Sequence, residues 1–259
     1  MLEVRDVRLA NMADCSKSCV AGSLPPGLDS FGVVDMQRAK MAFFRKHREA
    51  GAGARAAFRD GKLVGSLEWY PLELSPTPVS GKDIFVIHCA RTVEPGARSE
   101  VLAELVRSSE EAWSARAGVA ALGRKRSWEE FGFQAVDSRR APEKDAGTQT
   151  LYLKTFREGA EVGFLVPKAG IAPEPGKLRV DLFLSDACPW NGYVFDLVKK
   201  ACASYGKPVR VFEHDCRARL GVEAVGLGAA VAINGVFHPL LRPHLLPDER
   251  TIHRILDLA

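Results

Sequence analysis

Cys188 stands in the run Asp186, Ala187, Cys188, Pro189, Trp190, Asn191, where an apolar segment ends and a helical pattern begins. A thiol at the head of a helix has its thiolate stabilised by unpaired N–H groups and the helix dipole, so its pKa is expected below that of an ordinary thiol. This makes Cys188 the expected nucleophile among six cysteines: Cys15, Cys19, Cys89, Cys188, Cys202 and Cys216. A dithiol redox centre needs its second thiol three residues on, and that position is Asn191. The arrangement is therefore monothiol, able to form a mixed disulfide but not a local one, with Cys216 as a resolving thiol at longer range. The same residues also read as a helix start, since Pro189 suits a first turn, and Cys202, among apolar helix neighbours, reads as core. Cys15 and Cys19 are separated by three residues and would share one face of a helix. Together with Cys89 they form a candidate soft-metal or metalloid site, although a single C-x-x-x-C pair falls short of the usual structural zinc pattern.

Two sets of elements must position these groups. In the first 156 residues, alternation predicts a strand over 2–10, and a basic helical pattern follows over 35–50. A hairpin over 54–70 turns at Asp60-Gly61, a strongly apolar strand spans 83–91, and a long amphipathic helix covers 99–117. A strand over 118–122, a short helix over 127–133 stopped by glycine, and two strands near Ala135 and Leu151 complete the set. Residues 157–176 are rich in Gly, Pro and Ala and read as a linker. From residue 177 a βαβ pattern begins: a strand over 178–184, a helix over 191–205 and a parallel strand over 209–212. A hairpin turns at Asn234-Gly235, and a closing helix spans 248–258.

The whole chain sets limits on function. At 259 residues, two cores of ordinary size are expected. A net charge of +4, with Lys and Arg interleaved among Asp and Glu, gives no basic stripe, so nucleic acid is not an expected partner. The longest apolar stretch, residues 224–233, is too short for a bilayer and reads as a buried strand, so no membrane partner is expected either. The N-terminus lacks the basic-then-apolar order of a secretion signal, which points to a cytoplasmic location. There a disulfide scaffold is not expected, and the cysteines are read as core, thiol chemistry or metal ligands. Oligomeric state is not legible.

The element order over residues 1–156, with Trp128 to Phe133 ending in Gly132-Phe133, resembles the GNAT N-acetyltransferase superfamily. The nearest resemblance is to YoaP-like acetyltransferases, which pair that domain with a short thioredoxin-like module. Cys19, Ile87-His88-Cys89, Lys125-Arg126 and Phe131-Gly132-Phe133 carry it. The run around Cys188 in turn resembles the active-site turn of thioredoxin-fold proteins, although the proline that normally faces the cysteine is missing at residues 227–230. The resemblance implies an α/β (α+β) fold: a GNAT-like mixed sheet with flanking helices over 1–156, then a thioredoxin-like βαβ-ββα domain over 177–259.

The resemblance also implies an acetyl-CoA site where backbone N–H groups of the loop after the fourth strand face a diphosphate. The residues carried over are Ala90, Thr92, Gly96, Ala97, Arg98 and Ser99. That loop has one glycine, a proline without an N–H donor, and Glu94, whose charge repels phosphate. The family's usual tyrosine acid is replaced by Trp128, which has no ionisable O–H. Glu68 and His88 fall where the family's cleft opens; each is read either as a base for an amine nucleophile or as an ordinary strand residue. The expected activity is acyl transfer from acetyl-CoA to a small amine or thiol beside Glu68, His88 and Cys89. The alternative is a thiol-dependent enzyme or thiolate metal binder, using Cys15, Cys19, Cys89 and Cys188, on a scaffold that has lost acetyl-CoA.

Overall fold

The structure, a computed structural model, describes residues 1–8, 12, 30–94, 96–124, 126–141, 147–167, 176–238, 241 and 247–259. Cys15 and Cys19, and with them most of the thiolate site read from the sequence, lie outside the described residues. Two compact units emerge. The first gathers Met41–Arg139 and Thr148–Phe164 with the N-terminal strand, and Leu165–Ala259 makes most of the second.

In the first unit, alternating exposure along Leu2–Asp6 (β1) marks an edge strand with one face on the core. It pairs antiparallel with Gly53–Arg59 (β2), which turns into Lys62–Pro71 (β3). Asp60 and Gly61 both take left-handed backbone there (φ 50° and 75°), as a tight two-residue hairpin turn requires. Ile84–Thr92 (β5) runs antiparallel to β3, and Gly118–Gly123 (β6) runs parallel to β5. Thr148–Thr155 (β8) is antiparallel to β6, and Gln134–Arg140 (β7) closes the sheet in the order β1-β2-β3-β5-β6-β8-β7.

Helices cover both faces of this sheet. Arg98–Trp113 (α2) buries Val101, Leu102, Leu105, Val106 and Trp113 against Leu67, Trp69, Phe85 and Ile87. Trp113 is fully buried at an edge-to-face angle on Trp69, 5.7 Å between centroids, so truncation to alanine is worth about 3–5 kcal/mol of stability. On the other face, Phe43 and His47 of the helix Ser30–Arg48 (α1) pack on Tyr70 of β3. Two short strands unforeseen in the sequence, Val79–Lys82 (β4) and Glu161–Phe164 (β9), pair with each other. Part of the stretch read as a linker is thus a strand.

The second unit carries its own sheet. Leu178–Leu184 (β10) pairs in parallel with Val209–Asp215 (β11) and antiparallel with Ala230–Ile233 (β12), and Val236–Phe237 (β13) forms the far edge. Pro189–Ser204 (α3) and Glu249–Asp257 (α5) cover the face that displays Val180, Leu182 and Leu184. The opposite face holds Phe183, Ala232 and Phe237 against Val222 of a short helix, Arg219–Val225 (α4). The apolar run 224–233 is accordingly not one strand. Val225 ends α4, Gly226 stops it in left-handed backbone (φ 71°), and only Ala230–Ile233 is strand. Among the described residues no helix is long and apolar enough to cross a membrane. The chain is therefore a mixed α/β fold with a large mixed sheet and flanking helices.

Candidate active site

The parallel pairing of β5 with β6 lasts only from Ile84 to Ile87, opposite Gly118 to Ala121. Beyond it β5 stays with β3, where Cys89, Ala90, Arg91 and Thr92 face Glu68, Leu67, Ser66 and Gly65. β6 stays with β8, where Leu122 and Gly123 face Leu151 and Thr150. The two central strands therefore part, and a wedge opens between them. A cavity of about 690 Å³ fills it, lined by Ile87, His88, Cys89 and Ala90 on one side and by Leu122, Gly123 and Arg124 on the other. Arg98, Ser127, Trp128 and Glu130 complete the wall.

A bulge decides what β5 shows to this wedge. Glu68 faces Cys89 and Trp69 faces Ile87, so His88 is the extra residue on β5. The bulge turns His88 to the face that carries Tyr70, whose ring meets the imidazole at 79° with centroids 5.9 Å apart. Thr77 Oγ1 lies 3.4 Å from His88 Nδ1. Glu68 is buried at 3% exposure, while His88 and Cys89 are partly exposed. Glu68, His88 and Cys89, each a candidate from the sequence, thus stand at neighbouring positions where the sheet divides.

The loop read as a diphosphate cradle follows β5 and leads into α2. Gly96 takes left-handed backbone (φ 82°), and Ala97 caps the helix without a side-chain hydrogen bond. The first-turn amides of α2 are therefore not occupied by a capping side chain, as anion binding at a helix N-terminus requires. Glu94, which the sequence suggests would repel phosphate, is bound by Arg59 Nη1 at 2.7 Å, and Arg59 Nη2 binds Glu100 at 2.8 Å. Hydrogen bonding to Glu100, then the charges of Glu100 and Glu94, hold the Arg59 guanidinium above its ordinary pKa against some desolvation. Among the residues carried over, Ala90 and Arg98 line the cavity. Thr92 sits opposite Gly65 in the sheet, and Ser99 Oγ donates to Glu130 Oε1 at 3.3 Å across the mouth of the wedge.

Of the residues that line the far wall, the sequence singles out only Trp128 for a chemical role. Ala117 O accepts from Phe156 N on the β8 side, so the alternation of carbonyls along β6 aims Leu122 O into the wedge. Trp128 Nε1 donates to that oxygen at 3.1 Å, and Tyr152 Oη donates to Arg124 O at 2.8 Å. Gly123 makes this closeness possible, because a Cβ there would sit 1.9 Å from Ser127 Oγ and 2.9 Å from Trp128 Cδ1. Arg126 adopts left-handed backbone (φ 61°), uncommon for a residue with a side chain. Ser127 Oγ is buried with no hydrogen-bond partner among the described residues, an arrangement worth about 1–3 kcal/mol of lost stability. The sequence signal for this wall was Gly123 at a strand end, a position that often marks a close approach.

In the second unit, Cys188 is the N-cap of α3, partly exposed, with Pro189 in the first turn. Asn191, at the place of a second thiol, is 2% exposed and donates from Nδ2 to Ser185 O at 2.7 Å, tying the helix start to the end of β10. Cys216, read from the sequence as a resolving thiol at longer range, is fully buried, and burial, with Asp215 adding, pushes its thiol up to about 11. Cys202, core as expected, is likewise pushed up to about 11 by burial. The apolar strand β10 also hides Asp181 completely. Arg179 binds its carboxylate at 2.8 and 2.9 Å, and His214 Nε2 lies 2.8 Å away. A buried carboxylate needs such partners, because leaving it uncompensated is strongly destabilising.

Among the described residues no group of three or more His, Cys, Asp or Glu is placed to hold a metal ion. No family model matches the sequence, and none of the curated proteins does. Solved structures do resemble it. An acetyltransferase of the GNAT family from Streptococcus pneumoniae covers 60% of this chain and 100% of its own, with a TM-score of 0.44 and 14% identity. A GNAT family acetyltransferase from Brucella melitensis, in complex with acetyl-CoA, covers 63% and 96%, with a TM-score of 0.40 and 16% identity. The PaiA N-acetyltransferase from Thermoplasma acidophilum, in complex with coenzyme A, covers 60% and 99%, with a TM-score of 0.40 and 11% identity. At such scores and identities the likeness assigns no activity, ligand or site to this chain.

Proposed function

We propose that the first unit is a GNAT-type N-acyltransferase that uses acetyl-CoA to acylate a small amine or thiol, and that the second is a thioredoxin-like accessory module. One observation carries the first part: β5 and β6 separate after Ile87 and Ala121, and the wedge leads to a helix start without a side-chain cap. The parted strands and the uncapped first turn of α2 are the parts that would hold such a thioester and its diphosphate. The residues on hand fit the group. Ala90 and Arg98 line its path, Gly96 to Ser99 present backbone, and Arg59 neutralises Glu94.

Acetyl-CoA held there would supply an activated acyl group, the acceptor's new C–N or C–S bond replacing the thioester C–S bond. His88 on the bulge takes the nucleophile's proton, and Glu68, opposite Cys89, holds the second position for that task. Trp128 cannot act as the acid, because its one polar hydrogen is given to Leu122 O. In the second unit, the strand order β11-β10-β12-β13 with a parallel first pair, and Cys188 at the head of α3, support the thioredoxin-like reading and a monothiol role. Isothermal titration of the purified chain with acetyl-CoA tests the proposal. Saturable heat is expected, and no binding at millimolar ligand would remove the transferase reading.

A further inference from the structure

A regular strand turns successive side chains to opposite faces, and β5 breaks that alternation once. Ile87 and Ala90 both pack with Leu67 and Trp69 in the core beneath α2, although strict alternation would set them on opposite faces. The two residues between them, His88 and Cys89, therefore both turn to the other face, and the bulge opposite Glu68 absorbs the extra position. Glu68 and Tyr70 belong to that same face: the Tyr70 ring meets His88 at 5.9 Å, and Glu68 is Cys89's partner across the strand pair. His88 and Cys89 are partly exposed and both line the 690 Å³ cavity. A thiol, an imidazole beside it on one face, and a hydroxyl 3.4 Å from the imidazole Nδ1, that of Thr77, are the parts of a base-activated nucleophile. The other described cysteines lack this setting. Cys202 and Cys216 lie in the cores of the second unit, and Cys188 heads α3 there.

We propose that Cys89 carries the acyl group, as a thioester on its own sulfur, between acetyl-CoA and the acceptor. The inference rests on the acyl-CoA reading above. In the first step the Cys89 thiol gives its proton to His88 and its sulfur bonds to the acyl carbon. The coenzyme C–S bond breaks with its electron pair on the coenzyme sulfur, which takes the proton back from His88. In the second step the acceptor's nitrogen or sulfur bonds to the acyl carbon and its proton passes to His88. The Cys89 C–S bond breaks with its pair on the Cys89 sulfur, to which His88 returns the proton, so the site is restored. A cysteine suits the task because its thiolate is strongly nucleophilic, and a covalent stage divides one difficult transfer into two easier ones. One thioester also replaces another of the same kind, so the acyl group stays activated after the coenzyme has gone.

The test needs no acceptor. Full-length protein is incubated with acetyl-CoA, quenched in acid and mapped by peptide mass; one acetyl group is expected on Cys89, removable by neutral hydroxylamine as a thioester is. In parallel, isotopically labelled coenzyme A is mixed with unlabelled acetyl-CoA. Wild-type protein should move the label into acetyl-CoA, because the acyl group returns from Cys89 to whichever coenzyme is bound, whereas Cys89→Ala should lose this exchange to the level of a protein-free control. Thermal unfolding checks that the variant is folded, and the wild-type peptide map decides the matter without it. Saturable binding of acetyl-CoA with neither adduct nor exchange overturns the carrier role and leaves the transferase reading standing. An acetyl group found on Cys188 in place of Cys89, or exchange undiminished in Cys89→Ala, overturns it as well. If wild-type protein gives no heat with acetyl-CoA in a calorimetric titration, the acyl-CoA reading fails and the carrier role falls with it.

Discussion

Arg59 Nη1 lies 2.7 Å from Glu94 Oε2, which ties the end of β2 to the loop before α2. The contact converts an unfavourable residue into a neutral one, because a carboxylate beside a diphosphate site is repulsive unless a cation already holds it. Arg59→Met should therefore weaken acetyl-CoA by about two- to fivefold, the range of a partly exposed charge pair. Adding Glu94→Gln should restore most of the affinity. Titration of both variants checks this, and a double variant as weak as the single one would show that Arg59 acts in some other way.

Gly123 faces the opposite demand. With Ser127 Oγ 1.9 Å from where its Cβ would stand, Gly123→Ala has to displace the turn that carries Ser127 and Trp128. Overpacking of this kind costs about 1–3 kcal/mol, and the indole has to surrender its bond to Leu122 O. Urea denaturation should show the loss, together with a shift in tryptophan emission. An unchanged midpoint and spectrum would mean that the turn yields freely.

How far these features could be read from sequence depends on whether their cause is local. Asp60-Gly61 and Asn234-Gly235 announce their turns, because left-handed backbone depends on the residues themselves. Alternation and helical spacing likewise place β1, β5, α2, β10 and α3 to within a few residues. The bulge at His88 has no such signature, since it exists only as a register difference between β3 and β5. β4 and β9 are legible only as a pair, each four residues long and distant in sequence. The run 224–233 misleads because its apolar composition hides Gly226, whose backbone ends a helix inside it. At the site, the family resemblance pointed to Glu68, His88, Cys89 and Trp128, but the rest of the wall from Leu122 to Glu130 depends on the parting of strands, which no single segment encodes.

The cysteines of the second unit should separate cleanly by reactivity. Burial pushes Cys202 and Cys216 up to about 11, so at pH 8 about a thousandth of each is thiolate, whereas Cys188 is partly exposed at a helix start. Brief alkylation of native protein followed by peptide mass mapping should label Cys188 and leave Cys202 and Cys216 unmodified until denaturant is added. The raised values also set an alkaline limit. A group whose folded pKa exceeds its ordinary 9.0 contributes stability that is complete below 9.0 and is lost as pH rises through about 11. Cys202→Ala should flatten that part of the stability curve, and early labelling of Cys216 in native protein would contradict its burial.

At acid pH the corresponding group is Asp248, the N-cap of α5, whose side chain accepts from Thr251 N at 2.7 Å. Hydrogen bonds from Thr251 hold its carboxyl below the ordinary 3.8. A depressed folded pKa contributes stability that is present above 3.8 and is lost as pH falls through the lower folded value. Asp248→Ala should thus cost about 0.5–2 kcal/mol near neutral pH, the usual effect of deleting an N-cap, and less and less below pH 3.8. A second readout is independent of stability. Burial raises the Tyr193 phenol and the charge of Asp248 raises it further, so Asp248→Ala should lower the tyrosine titration seen in ultraviolet absorbance. If the variant matches wild type in urea at neutral pH, the cap contributes nothing, and α5 is then held to the sheet by Ile252, Ile255 and Leu256 alone.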